Sequence, residues 1–280
     1  MADRKPVVLL TGASRGLGLA ILRLLLTGSP PCHASPIPAS RVVTISRTIP
    51  SDLSSLQSCH PSDLICIQGD VTCASTNEAA VSAAVGKLGG LDSIILNAGV
   101  VETQRIESLS PSSLAKMLNI NTVSLVTTLS PALSYLRESA NPTVVFVSSG
   151  AATGNISGWA GYNASKAAMN AIARTLANEE EKIAVFAVRP GVVDTDMQTL
   201  LRAKGKDQMK EQEAKRFLDL YQNAKLLKPQ QPAWTIAALA TRGTRQMPKG
   251  KDGKAFGEVG AFLTWNEDVL EGWKNEDAGK

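Results

Sequence analysis

Short apolar runs alternate with longer stretches of helical periodicity along most of this 280-residue chain. Residues 6–10 (PVVLL), 41–45 (RVVTI), 64–67 (LICI), 91–96 (LDSIIL), 143–147 (TVVFV) and 183–188 (IAVFAV) are brief and rich in aliphatic and β-branched side chains. Runs of this length without regular polar alternation predict strands buried on both faces. Between them, the leucine-rich 19–26, the alanine-rich 75–88 and the stretches 111–136 and 161–180 predict helices with one apolar side. A further helix is expected over 232–240 and a last strand over 259–263. Strands alternating with helices in this way imply an α/β fold, a doubly wound parallel sheet flanked by helices on both faces, read as a single domain over 1–280. In such sheets ligands collect at the carboxyl ends of the strands.

Three segments break the rhythm. Residues 29–40, SPPCHASPIPAS, hold four prolines in twelve positions, which precludes helix and central strand and predicts a surface insertion. Residues 196–228 are polar and rich in Lys and Glu and read as a solvated amphipathic face. A tail follows about residue 265.

Composition narrows the function. Apolar residues make up 44% and charged residues 19%, ordinary for a soluble globular protein. The net charge of +4 is dispersed, so no nucleic-acid partner is expected. Cys32, Cys59, Cys66 and Cys73 form no CxxC pair and have no His at ligand spacing, so no metal is expected. Cys66, inside an apolar run, is expected to be a buried thiol; His33 and His60 are expected to be solvated loop residues. The start of the chain is charged and its apolar run 7–10 is too short for a signal peptide or membrane span, so a cytoplasmic protein without membrane contact is expected.

The chemistry lies at the strand ends. The first strand runs into Thr11-Gly12-Ala13-Ser14-Arg15-Gly16-Leu17-Gly18 and then a helix. Strand, glycine turn and helix together suit a pyrophosphate: Gly12 for the turn, Gly16 for close approach of the anion, Gly18 for helix–sheet contact, with helix amides facing the charge. A plain turn between strand and helix is the competing reading. At the end of the second strand stand Ser46 and Arg47 and no carboxylate. A guanidinium there, with Arg15 as a second, suits a 2′-phosphate and predicts NADP(H). Farther on, Ser148 and Ser149 end a strand, and Tyr162 and Lys166 lie four residues apart on a helix, hence on one face. A phenol titrates near ~10; a cation beside it is expected to lower that value and fit it for proton transfer. An isolated Tyr and Lys at this spacing would more often be ordinary surface residues.

Taken in order, Thr11-Gly12, Gly16 and Gly18, Asn97-Ala98-Gly99, Ser149, Tyr162 and Lys166, and Pro190-Gly191 with Val193 and Thr195 resemble the classical short-chain dehydrogenase/reductase family over roughly residues 6–245. The segments GWAGYNASKAA and RPGVVDTDMQ are most similar to sepiapterin reductases and to fungal and microbial benzil reductases. The resemblance implies a Rossmann-type NADP(H)-dependent carbonyl reductase with its substrate lid at about residues 196–228. Tyr162 would be the general acid, Lys166 would hold the nicotinamide ribose, and Ser149 would orient the carbonyl. Ser149 is preferred over Ser148 by its thirteen-residue distance from Tyr162. Asn121 would carry a proton-relay water; Asn119 competes, but Asn121 lies 28 positions before Ser149, as the family pattern expects. A packing or capping role for Asn121 is the alternative.

Asp70 and Val71 would meet the adenine, while Asn97, with Ala98 and Gly99, would line the cofactor cleft. Pro190 and Gly191 would belong to the cofactor site, and Val193 and Thr195 would fix the carboxamide; Thr195 also suits a helix N-cap. Thr153, Ile156, Trp159 and Met197 line a pocket or belong to the core. The aspartate that anchors a pterin in sepiapterin reductases cannot be aligned, which favours a neutral ketone or α-diketone. The same groups also fit an alcohol dehydrogenase, a secondary-metabolite ketoreductase or a non-catalytic NADP(H) sensor. The resemblance further implies a homodimer or homotetramer.

Overall fold

The computed structural model describes residues 4–29, 36–205 and 207–279. In chain order the elements are β1 (Val7–Thr11), α1 (Gly16–Thr27), β2 (Arg41–Ser46), α2 (Ser51–Cys59), β3 (Leu64–Gln68), α3 (Ala74–Leu88) and β4 (Ser93–Leu96). Next come α4 (Pro111–Leu118), α5 (Ser124–Leu129), α6 (Leu133–Leu136), β5 (Thr143–Val147), α7 (Ala160–Glu179) and β6 (Ala184–Arg189). The chain continues through α8 (Asp196–Leu200), α9 (Glu211–Gln222), α10 (Gln230–Arg242) and β7 (Ala261–Thr264).

Among the described residues the strands form one seven-stranded sheet in the order β3-β2-β1-β4-β5-β6-β7, every neighbouring pair parallel. Side chains alternate across it. Val8 and Leu10 pack with α1 and α10 on one face; Val7 and Leu9 pack with α3, α5 and α7 on the other. Two apolar layers explain why the inner strands read as unbroken hydrophobic runs. The strand order reverses between β1 and β4, and a crevice at that switch point is where sheets of this kind take ligands.

Several expectations change. Helix α2 was not legible, because Leu53 is its one buried side chain and so leaves almost no apolar period. The stretch 111–136 is not one helix: a π turn, Asn119–Val123, separates α4 from α5, and Pro131, which lacks an N–H, lies between α5 and α6. Cys66 is only half-buried, since β3 is an edge strand; burial still pushes its thiol up. His60 is half-buried at the end of α2, its N–H donating to Leu56 O at 2.9 Å. The proline-rich insertion is anchored at its base by Ile37, fully enclosed in the core, whose N–H donates to Ser29 Oγ at 2.7 Å. Cys32 and His33 lie outside the described residues. The tail packs back: Leu270 is buried, and the Arg242 guanidinium sits 4.6 Å from the Trp273 ring.

Candidate active site

The glycine turn is clamped from β4. Thr11 Oγ1 accepts from the backbone N–H groups of Asn97 and Ala98, each at 3.0 Å, and Asn97 Nδ2 donates to the carbonyls of Thr11 and Gly12 at 3.0 Å. Gly12 has φ +73°, a left-handed conformation that favours glycine. A methyl on Gly18 would sit 2.1 Å from Gly12 O and 2.6 Å from Asn97 Nδ2, so helix α1 approaches the turn as closely as a missing side chain allows. Gly16 faces Thr195: a methyl there would lie 3.1 Å from Thr195 Cγ2. Thr195 holds the N-cap position of α8 without a side-chain cap bond. Val193 is buried and bridges to Leu227. Pro190 and Gly191 follow β6, Gly191 at φ +80° with Trp265 and Leu227 against it.

These groups fit a phosphorylated dinucleotide. Ser46, at the end of β2, has a buried hydroxyl without a hydrogen-bond partner, beside the exposed Arg47; Gly12 N–H reaches Ile45 O of the same strand at 2.9 Å. Ser14 and Leu17 are half-buried and Arg15 is exposed. Beyond β3, Asp70 accepts from Thr72 N and Thr72 Oγ1 at 2.9 and 2.8 Å. The Thr72 N–H, with smaller help from the Thr72 hydroxyl and Arg47, holds that carboxyl below its ordinary range against an opposing effect of burial. Val71 beside it is buried.

The structure separates the two serines and the two asparagines. Ser148 is buried and donates to Asn170 Oδ1 at 2.6 Å. Ser149 is half-exposed, starts a short 3₁₀ turn and accepts from Ala151 N–H at 3.1 Å; its hydroxyl is near enough to the Tyr162 phenol to favour the ionised form. Asn119 is exposed on the π turn, whereas Asn121 is fully buried. Asn121 Oδ1 accepts from Val100 N–H at 2.8 Å, and its Nδ2 donates to Val100 O at 2.8 Å and to Ser165 Oγ at 3.0 Å. Ser165 in turn donates to Tyr162 O at 2.8 Å. π turns recur at functional positions because they re-aim one side chain out of helical register. A methyl on Gly99 would stand 3.4 Å from Asn121 Oδ1 and 3.8 Å from Lys166 Nζ, so the β4 loop, the π turn and α7 converge.

Lys166 is 4% exposed. Its ammonium donates to Val147 O at 2.8 Å and lies 5.9 Å from the centre of the Tyr162 ring. The expected lowering of the phenol's pKa is not what the structure has. Burial pushes Tyr162 up, with the Ser149 hydrogen bond pulling partly back, and burial brings Lys166 down to about 8. Desolvation sets both directions because both groups are enclosed, and the ammonium is turned toward a strand carbonyl.

This has a measurable consequence. Unfolded Lys166 would bind its proton up to its ordinary value of 10.5, and the folded protein releases it near 8. Between those values the unfolded state holds more protons, so stability rises with pH. The raised phenol works the other way above ~10. Chemical denaturation from pH 8 to 10 is therefore expected to give a rising contribution from Lys166 that Lys166→Met removes; identical slopes in both proteins would refute it.

Above Tyr162 sits a small apolar cluster that includes Val101, Met117, Trp159, Leu201, Met209 and Phe217. The Trp159 ring meets Tyr162 edge-on at 5.5 Å and stacks on Phe217 of α9 at 5.5 Å. Ile156 and Met197 pack against this cluster, while Thr153 is exposed. Segment 196–228 is thus not only a solvated face. Glu213 of α9 accepts from Ser157 N–H at 3.1 Å and from Lys210 N–H at 3.0 Å, tying the segment to the loop that carries Trp159. Sequence reasoning placed Thr11 in the motif without a role, and missed Ser165, Met209, Glu213 and Phe217. For Phe217 and Met209 the available signal was two large apolar side chains in a charged stretch.

The chain matches the family described as short chain dehydrogenase over residues 6–206. An uncharacterized oxidoreductase of Saccharomyces cerevisiae, YIR035C, is 35% identical over 266 residues, covering 94% of this chain and 97% of that protein. Its crystal structure superposes with a TM-score of 0.85 over 96% of this chain and 100% of the other, at 33% identity. The benzil reductase ((S)-benzoin forming) IRC24 of the same yeast is 34% identical over 276 residues, with 94% and 97% covered. A second S. cerevisiae structure, described as a cytoplasmic protein with unknown function, gives a TM-score of 0.73 at 32% identity over 96% of this chain and 100% of the other.

Proposed function

The chain belongs to the short chain dehydrogenase family, and from that premise we propose that it is an NADPH-dependent carbonyl reductase acting on a ketone or α-diketone. The observation that carries this reading is the convergence of Ser149, Tyr162 and buried Lys166 at the carboxyl ends of β4 and β5. NADPH, when bound, supplies the hydride. Tyr162 gives its phenolic proton to the carbonyl oxygen as the alcohol forms, and Ser149 holds that oxygen by hydrogen bonding. A phenol pushed up by burial stays protonated at neutral pH, the form that a proton donor requires. Lys166, cationic below about 8, stabilises the phenolate left behind and returns the proton, with Asn121 holding the relay to solvent. Gly12, Gly16 and Gly18 shape the pyrophosphate site, and Arg15 and Arg47 take the 2′-phosphate.

The apolar cluster around Trp159 and Phe217, next to Tyr162, supports a neutral substrate, and the benzil reductase among the relatives points the same way. We place the enzyme in the cytoplasm; among the described residues no helix is long and apolar enough to cross a membrane. A homodimer or homotetramer is supported by the exposed side chains of Val123 and Val126, along the π turn and α5. The test is NADPH consumption over α-diketones, simple ketones and pterins. Turnover with diketones or ketones is expected; nucleotide binding with no oxidation on any of them would leave a sensor instead. Arg47→Asp is expected to move the NADPH/NADH preference at least tenfold toward NADH, since one charge-assisted pair becomes a repulsion. An unchanged ratio of kcat/KM values would refute the phosphate clasp.

A further inference from the structure

Arg15 sits in the glycine turn immediately before α1, and Asp196 is the first residue of α8. They are 181 positions apart, yet Arg15 Nη1 donates to Asp196 Oδ2 at 2.8 Å. Both side chains are open to solvent, 72% and 71% exposed. The two segments also touch through Thr195 and Gly16, so the pair spans a real junction between the turn and the lid. Arg47 differs: among the described residues no carboxylate lies within ion-pair distance of it. One of the two guanidinium groups assigned to the 2′-phosphate therefore already holds an anion.

We propose that Asp196 is a cofactor-selectivity residue: its carboxylate holds Arg15 in the free protein, and a 2′-phosphate displaces it. This rests on the NADP(H) reading above. An exposed ion pair is a weak competitor, whereas a phosphate offers a guanidinium two parallel charge-assisted bonds. The exchange thus goes forward but lowers affinity for any ligand that must take Arg15. A nucleotide with a free 2′-hydroxyl leaves the pair alone. Asp196 acts through Arg15, as a positioning residue that discriminates between nucleotides.

The experiment is calorimetric titration of the full chain with 2′,5′-ADP and with 5′-AMP. Asp196→Asn is expected to tighten 2′,5′-ADP about two- to five-fold, the reach of an exposed pair, and to leave 5′-AMP unchanged. In an Arg15→Gln background the same substitution is expected to give no gain. No tightening, equal tightening of both nucleotides, or a gain that survives Arg15→Gln overturns the exchange; the last would be a through-space charge effect. The two readings fail differently. If the unaltered protein binds 2′,5′-ADP no better than 5′-AMP, the NADP(H) assignment falls and this inference with it. A clear preference without an Arg15-dependent gain removes this inference alone.

Discussion

Tyr162→Phe is expected to leave nucleotide binding within about twofold and to lower turnover by about 10²–10⁴-fold, the usual contribution of a positioned general acid. The ring is buried and packed edge-on against Trp159, and phenylalanine preserves that shape. What is lost is the phenolic hydroxyl and its proton. The loss is expected in kcat more than in KM, because the proton moves only as the carbonyl is reduced. Single-turnover kinetics with an α-diketone, alongside a nucleotide titration, make the comparison. Turnover equal to that of the unaltered protein would remove Tyr162 as the acid, and a matched loss of nucleotide binding would indicate collapse of the site.

Gly18→Ala is expected to cost on the order of 3 kcal/mol, combining overpacking with two weakened hydrogen bonds. The added methyl would meet Gly12 O at 2.1 Å and Asn97 Nδ2 at 2.6 Å, and those atoms are bonded to each other at 3.0 Å. Helix α1 must withdraw or the clamp must open. Gly86 is the control, since a methyl there meets nothing within 4 Å. Inside α3 the change Gly86→Ala is expected to stabilise by about 0.5–1 kcal/mol. Denaturant titrations of both variants decide the matter, and a Gly18→Ala protein as stable as the parent would show that the contact is slack.

Much of the architecture was open to inspection in the bare chain because it is written locally. A run such as Val7–Thr11 is buried throughout and shows its surroundings in its own composition. The glycine turn, and the spacing of Ser149, Tyr162 and Lys166, belong to single strand–turn–helix units whose geometry needs few distant partners. Helix α2 escaped because it buries one side chain, and the break at Asn119–Val123 escaped because a π turn leaves no mark in hydrophobic period.

Chain order and residue spacing were therefore enough to specify the α/β alternation, the nucleotide-type turn and the identity of the polar groups at the strand ends. Spacing already favoured Asn121 over Asn119; its full enclosure, and the engagement of Ser148 with Asn170, came from tertiary packing. So did the direction of the Tyr162 and Lys166 shifts, where desolvation overrode the expected attraction. The stack of Phe217 on Trp159 and the Arg15–Asp196 pair join segments far apart in the chain. Their strength depends on distance and enclosure in space, and neither is encoded in any short window of residues.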